Sequence, residues 1–172
     1  MSAPIDTFDL SSLRLDTGQG RRLELAVAIE PFELGGEWYS VSQPSVPVRI
    51  DLSRTTGNGY ALRLRFEVTL AGPCMRCLEP ASRAVSVDAR EVSQPDQGEE
   101  LDSPYVDHGV LAFSAWARDA LALTLPAVLL CRPDCAGLCP VCGADLNAAG
   151  PEHAHPAAPD PRWARLSELR LD

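Results

Sequence analysis

In YALRLRFEVTLAGPCMRCLEP, residues 60–80, two patterns meet. Leu62, Leu64, Phe66, Val68 and Leu70 alternate with Arg63, Arg65, Glu67 and Thr69. A period of two places one set on a buried face and the other in water, as in an antiparallel sheet with one solvated side. The run then breaks at Gly72-Pro73 into Cys74-x-x-Cys77, and alternation resumes with Val85, Val87 and Ala89. Two strands flanking a short Cys-rich connection read as a hairpin with a metal-type knuckle at its tip.

The same alternation runs backwards along the chain. Leu23, Leu25, Val27 and Ile29 form one set, and Val46, Val48, Ile50 and Leu52 another. Gly35-Gly36 and Gly57-Asn58-Gly59 mark turns between them. Forwards, residues 93–107 carry Pro95, Gly98 and Pro104 and little apolar content, which predicts an exposed loop. From Ser114, read as an N-cap, to Leu125 the period becomes helical, with Trp116, Ala120, Leu121 and Leu125 near one face and Pro126 limiting the helix. Residues 148–159 are rich in Ala, Pro and His and read as flexible. Asp160-Pro161 then opens a short amphipathic helix through Trp163, Leu166 and Leu169. The expectation is an α+β protein. An antiparallel sheet or partly open barrel of four to six strands covers about residues 20–92, followed by a helix, a Cys-rich zinc-knuckle-like segment and a short C-terminal helix. The expected division is a β-rich domain over 1–107, with the hairpin and the acidic loop, and a helical and Cys-rich metal-binding segment over 108–172 packed on it.

Composition narrows the function. The chain has 172 residues, 15 Arg and no Lys, 24 acidic residues and a formal net charge of −9. A chain of this length buries roughly 70% of its unfolded surface, so it does not depend on disulfides to fold. No apolar run reaches the roughly 18 residues of a membrane span, and no basic-then-apolar leader opens the sequence. A cytoplasmic, bacterial protein with no membrane partner is expected. The acidity argues against a nonspecific nucleic-acid binder, which needs a basic face to displace phosphate counterions. Between Asp88 and Asp107 seven acids face only Arg90. That run is either a solvated loop or a docking surface for a basic partner.

All six cysteines fall in two clusters, Cys74/Cys77 and Cys131-x3-Cys135-x3-Cys139-x2-Cys142. Zinc takes four thiolate or imidazole ligands in a tetrahedron, and short spacings let neighbouring thiolates reach one ion. Pro133, Gly137, Pro140 and Gly143 make a continuous helix across the second cluster untenable. Gly143, after Cys142, allows a tight turn whose N–H groups point at sulfur. Three arrangements compete. Cys131, Cys135, Cys139 and Cys142 hold one zinc; or Cys74 and Cys77 join Cys139 and Cys142; or a second site combines Cys74 and Cys77 with His153 or His155. Free thiols or disulfides are the metal-free alternative. His153 and His155 read as solvated loop residues, and His108 as surface.

Catalytic patterns are lacking: no phosphate-cradling Gly loop, G-x-S-x-G, H-E-x-x-H or paired-carboxylate motif occurs in the sequence. A four-Cys site has no open coordination position, so structural zinc and a non-enzymatic role are expected. The alternative is a thiol oxidoreductase or redox sensor using Cys74 and Cys77. A thioredoxin-type C-x-x-C sits at a helix N-terminus inside a βαβ unit, and none surrounds this one, although Arg76 is placed to lower a thiol pKa.

Taken together, Cys74, Arg76, Cys77 and Leu78, the Leu125-Pro126 helix end, and Cys131, Asp134, Cys135, Gly137, Leu138, Cys139, Pro140, Cys142, Gly143, Leu146 and Asn147, closed by Asp160-Pro161-Arg162, resemble the YceD family. That family is the large ribosomal RNA subunit accumulation protein. The resemblance covers about residues 60–172. Some relatives carry two further Cys after the Leu-Asn, where this chain has Glu152-His153-Ala154-His155. The resemblance implies a part in ribosome biogenesis. With the acidic charge, it points to a protein partner: a ribosomal protein, an assembly factor or an RNA-processing enzyme. Local ribosomal RNA contact through Arg63, Arg65, Arg76 and Arg83, if these share one face, is the other route. Oligomeric state is left open.

Overall fold

In the computed structural model, which describes residues 3–98 and 101–156, the alternating run becomes β6 (Tyr60–Pro73). It pairs along its whole length with β7 (Pro80–Ser93), antiparallel and without a bulge. On its other side β6 meets β5 (Val46–Arg54) over its first half and β4 (Glu37–Val41) at Leu70 and Ala71. β2 (Gly20–Val27) extends the sheet beyond β5, and β3 (Phe32–Leu34) beyond β4. Six strands over residues 20–93 match the expected sheet. In the five-residue β5–β6 connection the Gly59 N–H donates to the Thr56 carbonyl at 3.4 Å, closing a β-turn whose central Gly57 and Asn58 both take positive φ, +66° and +57°, as a type I′ turn demands.

The inward residues are those the alternation marks. Val46, Val48, Ile50 and Leu52 of β5, Leu62 to Leu70 at every second position of β6, and Val85 and Val87 of β7 are all buried. Each contributes about 1.5–3 kcal/mol on leaving water. A helix, α1 (Phe113–Thr124), lies over them and buries Phe113, Trp116, Ala117, Ala120 and Leu121, the i, i+3, i+4 stripe of an amphipathic helix. Ser114 is not its cap. Ala112 holds that position with no side-chain bond, and the Ser114 N–H instead donates to the Asp6 carbonyl at 3.0 Å. A backbone acceptor from the N-terminal segment satisfies the helix end, so no polar cap side chain is needed.

A second, small sheet joins β1 (Phe8–Asp9), β8 (Val106–Asp107) and β9 (Val110–Leu111). The acidic stretch is therefore less open than its composition predicts. Ser103 is buried and the stretch runs into β8, although Asp96, Asp102 and Asp107 stay exposed. After α1 the chain is irregular until α2 (Leu146–Ala149), capped by the Asp145 carboxylate accepting the Asn147 N–H. This short helix falls partly where flexibility was expected. The amphipathic helix expected after Asp160 lies outside the described residues. Among the described residues no helix is long and apolar enough to cross a membrane.

Arg63, Arg65, Arg76 and Arg83, whose sharing of one face would open a route to RNA contact, do not assemble. Arg63 and Arg65 point outward and pair with Asp88 and Asp51. Arg83 sits opposite inward-facing Leu70, and Arg76 lies in the hairpin connection, its Nη1 donating to the Cys135 carbonyl at 2.8 Å.

Candidate metal centre

The β6–β7 connection is closed by two backbone bonds. The Cys74 N–H donates to the Glu79 carbonyl at 2.8 Å, and the Leu78 N–H to the Cys74 carbonyl at 2.9 Å, with Leu78 at φ +64°. The same pair of bonds recurs 65 residues later. The Cys139 N–H donates to the Ala144 carbonyl and the Gly143 N–H to the Cys139 carbonyl, both at 2.8 Å, with Gly143 at φ +72°. The chain thus folds the same knuckle twice. Each turn directs two sulfurs to one side and leaves backbone N–H groups near them; that of Arg76 lies 3.5 Å from the Cys74 sulfur.

The other donors come from elsewhere. Cys74 Sγ lies 3.8 Å from Cys135 Sγ, and Cys77 Sγ lies 3.6 Å from Cys131 Sγ. These four sulfurs all lie within 4.8 Å of one another. In the second group Cys139 and Cys142 meet His153 and His155 within the same limit. Cys142 Sγ is 3.5 Å from His153 Nε2, which is 3.0 Å from His155 Nε2. A tetrahedral zinc with Zn–S near 2.3 Å and Zn–N near 2.0 Å implies S···S edges of about 3.8 Å and S···N edges of about 3.5 Å. The donor sets therefore fit that ion in chemistry and in spacing.

Neither grouping is one the sequence suggested. The linear cluster of four splits in two, and Cys74 and Cys77 combine with Cys131 and Cys135 rather than with Cys139 and Cys142. The histidines join Cys139 and Cys142. What crosses the segments is backbone packing. The Met75 N–H donates to the Leu129 carbonyl at 2.9 Å and the Leu138 N–H to the Arg76 carbonyl at 3.0 Å. Gly137, at φ +80°, lets the two knuckles touch, since a Cβ there would stand 3.0 Å from the Arg76 carbonyl oxygen. In the sequence Asn147 stands out only as part of the family motif. Its Oδ1 accepts from Arg132 Nη2 at 2.7 Å and from the Ala136 N–H at 2.8 Å, and its Nδ2 faces Cys135 Sγ at 3.6 Å. It clamps the loop between Cys131 and Cys135 onto α2.

Electrostatics divides the sulfurs. Burial pushes the Cys74 thiol up, but the N–H groups of Arg76, Cys131 and Cys77 and the Cys77 thiol outweigh it, bringing it down to about 6. For Cys77 the Glu79 N–H acts downward, and burial with the thiols of Cys135, Cys74 and Cys131 overrides it, pushing it up to about 12. Burial leads in raising Cys131. Around Cys139 the N–H groups of Cys142 and Val141 overcome burial and bring it down to about 6. Four crowded sulfurs cannot all ionise unaided, and a divalent cation between them removes that conflict. Cys74, Cys77 and Cys135 are buried and Cys131 is exposed, whereas in the second group only Cys139 is buried.

Known proteins place the chain. An uncharacterized protein of Mycobacterium tuberculosis H37Rv, Rv2926c, is 33% identical over 171 residues, covering 95% of this chain and 80% of that protein. An uncharacterized protein of Mycobacterium leprae, ML1660, is 30% identical over 102 residues, covering 56% of this chain and 46% of its own length. No solved structure matches the chain. The family model described as large ribosomal RNA subunit accumulation protein YceD matches residues 62–170, from the middle of the β5–β6 pairing through both knuckles. The chain belongs to the YceD family.

Proposed function

We propose that this protein is a non-enzymatic ribosome biogenesis factor that supports accumulation or processing of large-subunit ribosomal RNA by binding a protein partner. Structural zinc in its two donor groups holds the partner-binding form together. The family match over both knuckles is the observation that carries this reading. Cys74, Cys77, Cys131 and Cys135 would hold one ion, and Cys139, Cys142, His153 and His155 the other. Bound there, zinc supplies cross-linking and charge neutralisation. Four protein donors leave no open position for a substrate or an activated water. Binding of this kind contributes about 10–16 kcal/mol to folding a small module, enough to order a segment as rich in Gly and Pro as residues 131–143.

The partner is read from charge. A net −9, made two units more negative by zinc on four thiolates, disfavours bulk RNA binding and favours a basic ribosomal protein, an assembly factor or an RNA-processing enzyme. A thiol-redox role has one observation in its favour, the Cys74 thiol at about 6. Against it, that sulfur is fully buried, and a reactive cysteine must be reached by its substrate. The test is gradient profiling of ribosomal particles from cells carrying a tagged chain, with large-subunit RNA measured in a deletion strain. Co-sedimentation with large-subunit precursors and loss of that RNA on deletion are expected. A tagged chain that stays at the top of the gradient, with RNA levels unchanged on deletion, overturns the proposal.

A further inference from the structure

β7 is an edge strand of unusual openness. Among the described residues it pairs with β6 alone, through fourteen residues in one unbroken register. Natural sheets blunt such edges with bulges, prolines or charge, because a row of unpaired N–H and C=O groups is a template for another strand. The edge at β2 is blunted: the Ala26 carbonyl accepts the Ile5 N–H at 2.9 Å, and Arg22 and Glu24 project beside it. β7 has no bulge and no proline after Pro80; its charges, Arg83, Asp88, Arg90 and Glu91, flank an uncharged stretch from Ala84 to Val87.

The direction of its backbone groups follows from the pairing of β6. The Ser42 N–H donates to the Thr69 carbonyl at 3.0 Å, and the Thr69 N–H faces Gln43 Oε1. Odd-numbered residues of β6 therefore turn their backbone toward β4 and β5, and even-numbered ones toward β7. The register partners of those even residues are Arg83, Val85, Val87, Ala89 and Glu91, which use their backbone groups on β6. Ser82, Ala84, Ser86, Asp88, Arg90 and Val92 are left with N–H and C=O directed away from the sheet. All six side chains are exposed, and among the described residues no backbone–backbone bond reaches that edge. From Ser82 to Val92 the row spans about 34 Å at 3.3–3.4 Å per residue.

We infer that the free edge of β7 is the partner-docking surface, and that its occupant is an extended, basic peptide segment that adds a strand to the sheet. Main-chain bonds to an edge supply affinity in this mode, and flanking side chains supply selection. The selection here is acidic. Exposed Asp96 lies three residues past β7, and exposed Asp102, whose Oδ1 accepts from the Ser93 hydroxyl at 3.4 Å, lines one cavity with Ser93 and Asp107 at that end of the strand. A Lys/Arg-rich strand is drawn to that end, whereas a second copy of this chain brings another −9. The inference rests on the partner-binding reading above for the kind of partner; the open edge itself is geometric.

The experiment uses the full chain and a fluorescein-labelled decapeptide alternating Lys and Val, with an equally charged decapeptide alternating Lys and Pro as control. Fluorescence polarisation gives affinity, and hydrogen exchange maps the contact. Binding of the Lys-Val peptide at least tenfold tighter than the Lys-Pro peptide is expected, weakening with salt, with exchange slowed along the outward row from Ser82 through Ala84, Ser86, Asp88 and Arg90 to Val92. Ser86→Pro and Ala84→Pro each remove one outward N–H and leave the β6 pairing intact, so each should weaken binding at least tenfold with the circular dichroism unchanged. Equal binding of the two peptides, protection elsewhere on the chain, or indifference to both prolines overturns the inference. So does a concentration-dependent dimer that the prolines abolish. Co-sedimentation with ribosomal precursors that survives both prolines overturns the edge alone and leaves the assembly role standing.

Discussion

Replacing Gly137 by Ala separates two costs that the structure puts at one position. Gly137 has φ +80°, where an L side chain is strained by about 1 kcal/mol net of what the unfolded chain returns. Its Cβ would also stand 3.0 Å from the Arg76 carbonyl oxygen and 3.2 Å from the Arg76 Cβ, contacts with main chain or its first carbon that no rotamer relieves. The loop must then withdraw, and the bond it strains most is that from the Leu138 N–H to the same carbonyl, worth about 1 kcal/mol. The sum is about 2 kcal/mol. That corresponds to roughly 30-fold weaker metal binding at the four-cysteine group, if the ion binds only the closed form. Gly143→Ala is the matched control. It has φ +72° and nothing within 4 Å of its Cβ, so it carries the conformational cost alone. Urea unfolding and zinc competition against a chromophoric chelator measure both. Gly137→Ala should cost about 1 kcal/mol more than Gly143→Ala and should weaken the four-cysteine group, not the cysteine–histidine one. Equal costs, or a loss confined to the second group, would refute the contact between knuckles.

Leu78→Gly should leave stability unchanged or raise it by up to about 1 kcal/mol in thermal unfolding, because Leu78 holds φ +64° while its side chain is mostly exposed. Asn147→Ala removes the acceptor shared by Arg132 and the Ala136 N–H and the donor facing Cys135, and should lower zinc affinity at the four-cysteine group about 10–100-fold in chelator competition. Asp51 and Asp88 are held below the ordinary carboxylate range, chiefly by Arg22 and Arg63 respectively. The unfolded chain binds their protons more tightly, so their contribution is present above about pH 4 and is lost as pH falls through the folded values. Urea midpoints between pH 6 and pH 3 should fall less steeply for the Asp51→Asn/Asp88→Asn double variant than for the parent.

The sheet was legible because its residues report their own geometry. Leu62 to Leu70 alternate so regularly that the buried face, the turn at Gly57-Asn58 and the hairpin to Val85 follow from local pattern alone. The helix was legible for the same reason, but its cap was not: Ser114 has the right side chain, and the acceptor supplied by Asp6, over a hundred residues earlier, made that side chain unnecessary. The metal groups mark the limit of local reading. Both C-x2-C turns announce themselves through short-range spacing, and the spacing marks all six cysteines as candidate donors. Which pairs combine is decided by the Arg76–Leu138 and Met75–Leu129 bonds, which no spacing encodes. His153 and His155 lie in a stretch whose Ala and Pro content resembles a linker, and only the place of Cys142 gives them a role. The open edge of β7 likewise follows from pairing on both sides of β6, which a single strand's pattern does not carry.

A Cys74→Ser/Cys77→Ser double variant asks whether sulfurs from the hairpin and from the C-terminal segment share one ion. Zinc content per chain and alkylation of each remaining cysteine would be measured on protein purified without added metal. Two zinc ions in the parent and one in the variant are predicted, with Cys131 and Cys135 becoming rapidly alkylated and Cys139 and Cys142 remaining protected. A variant that keeps its full zinc content and protects Cys131, Cys135, Cys139 and Cys142 together would rule out the shared site and return those four to a single linear one.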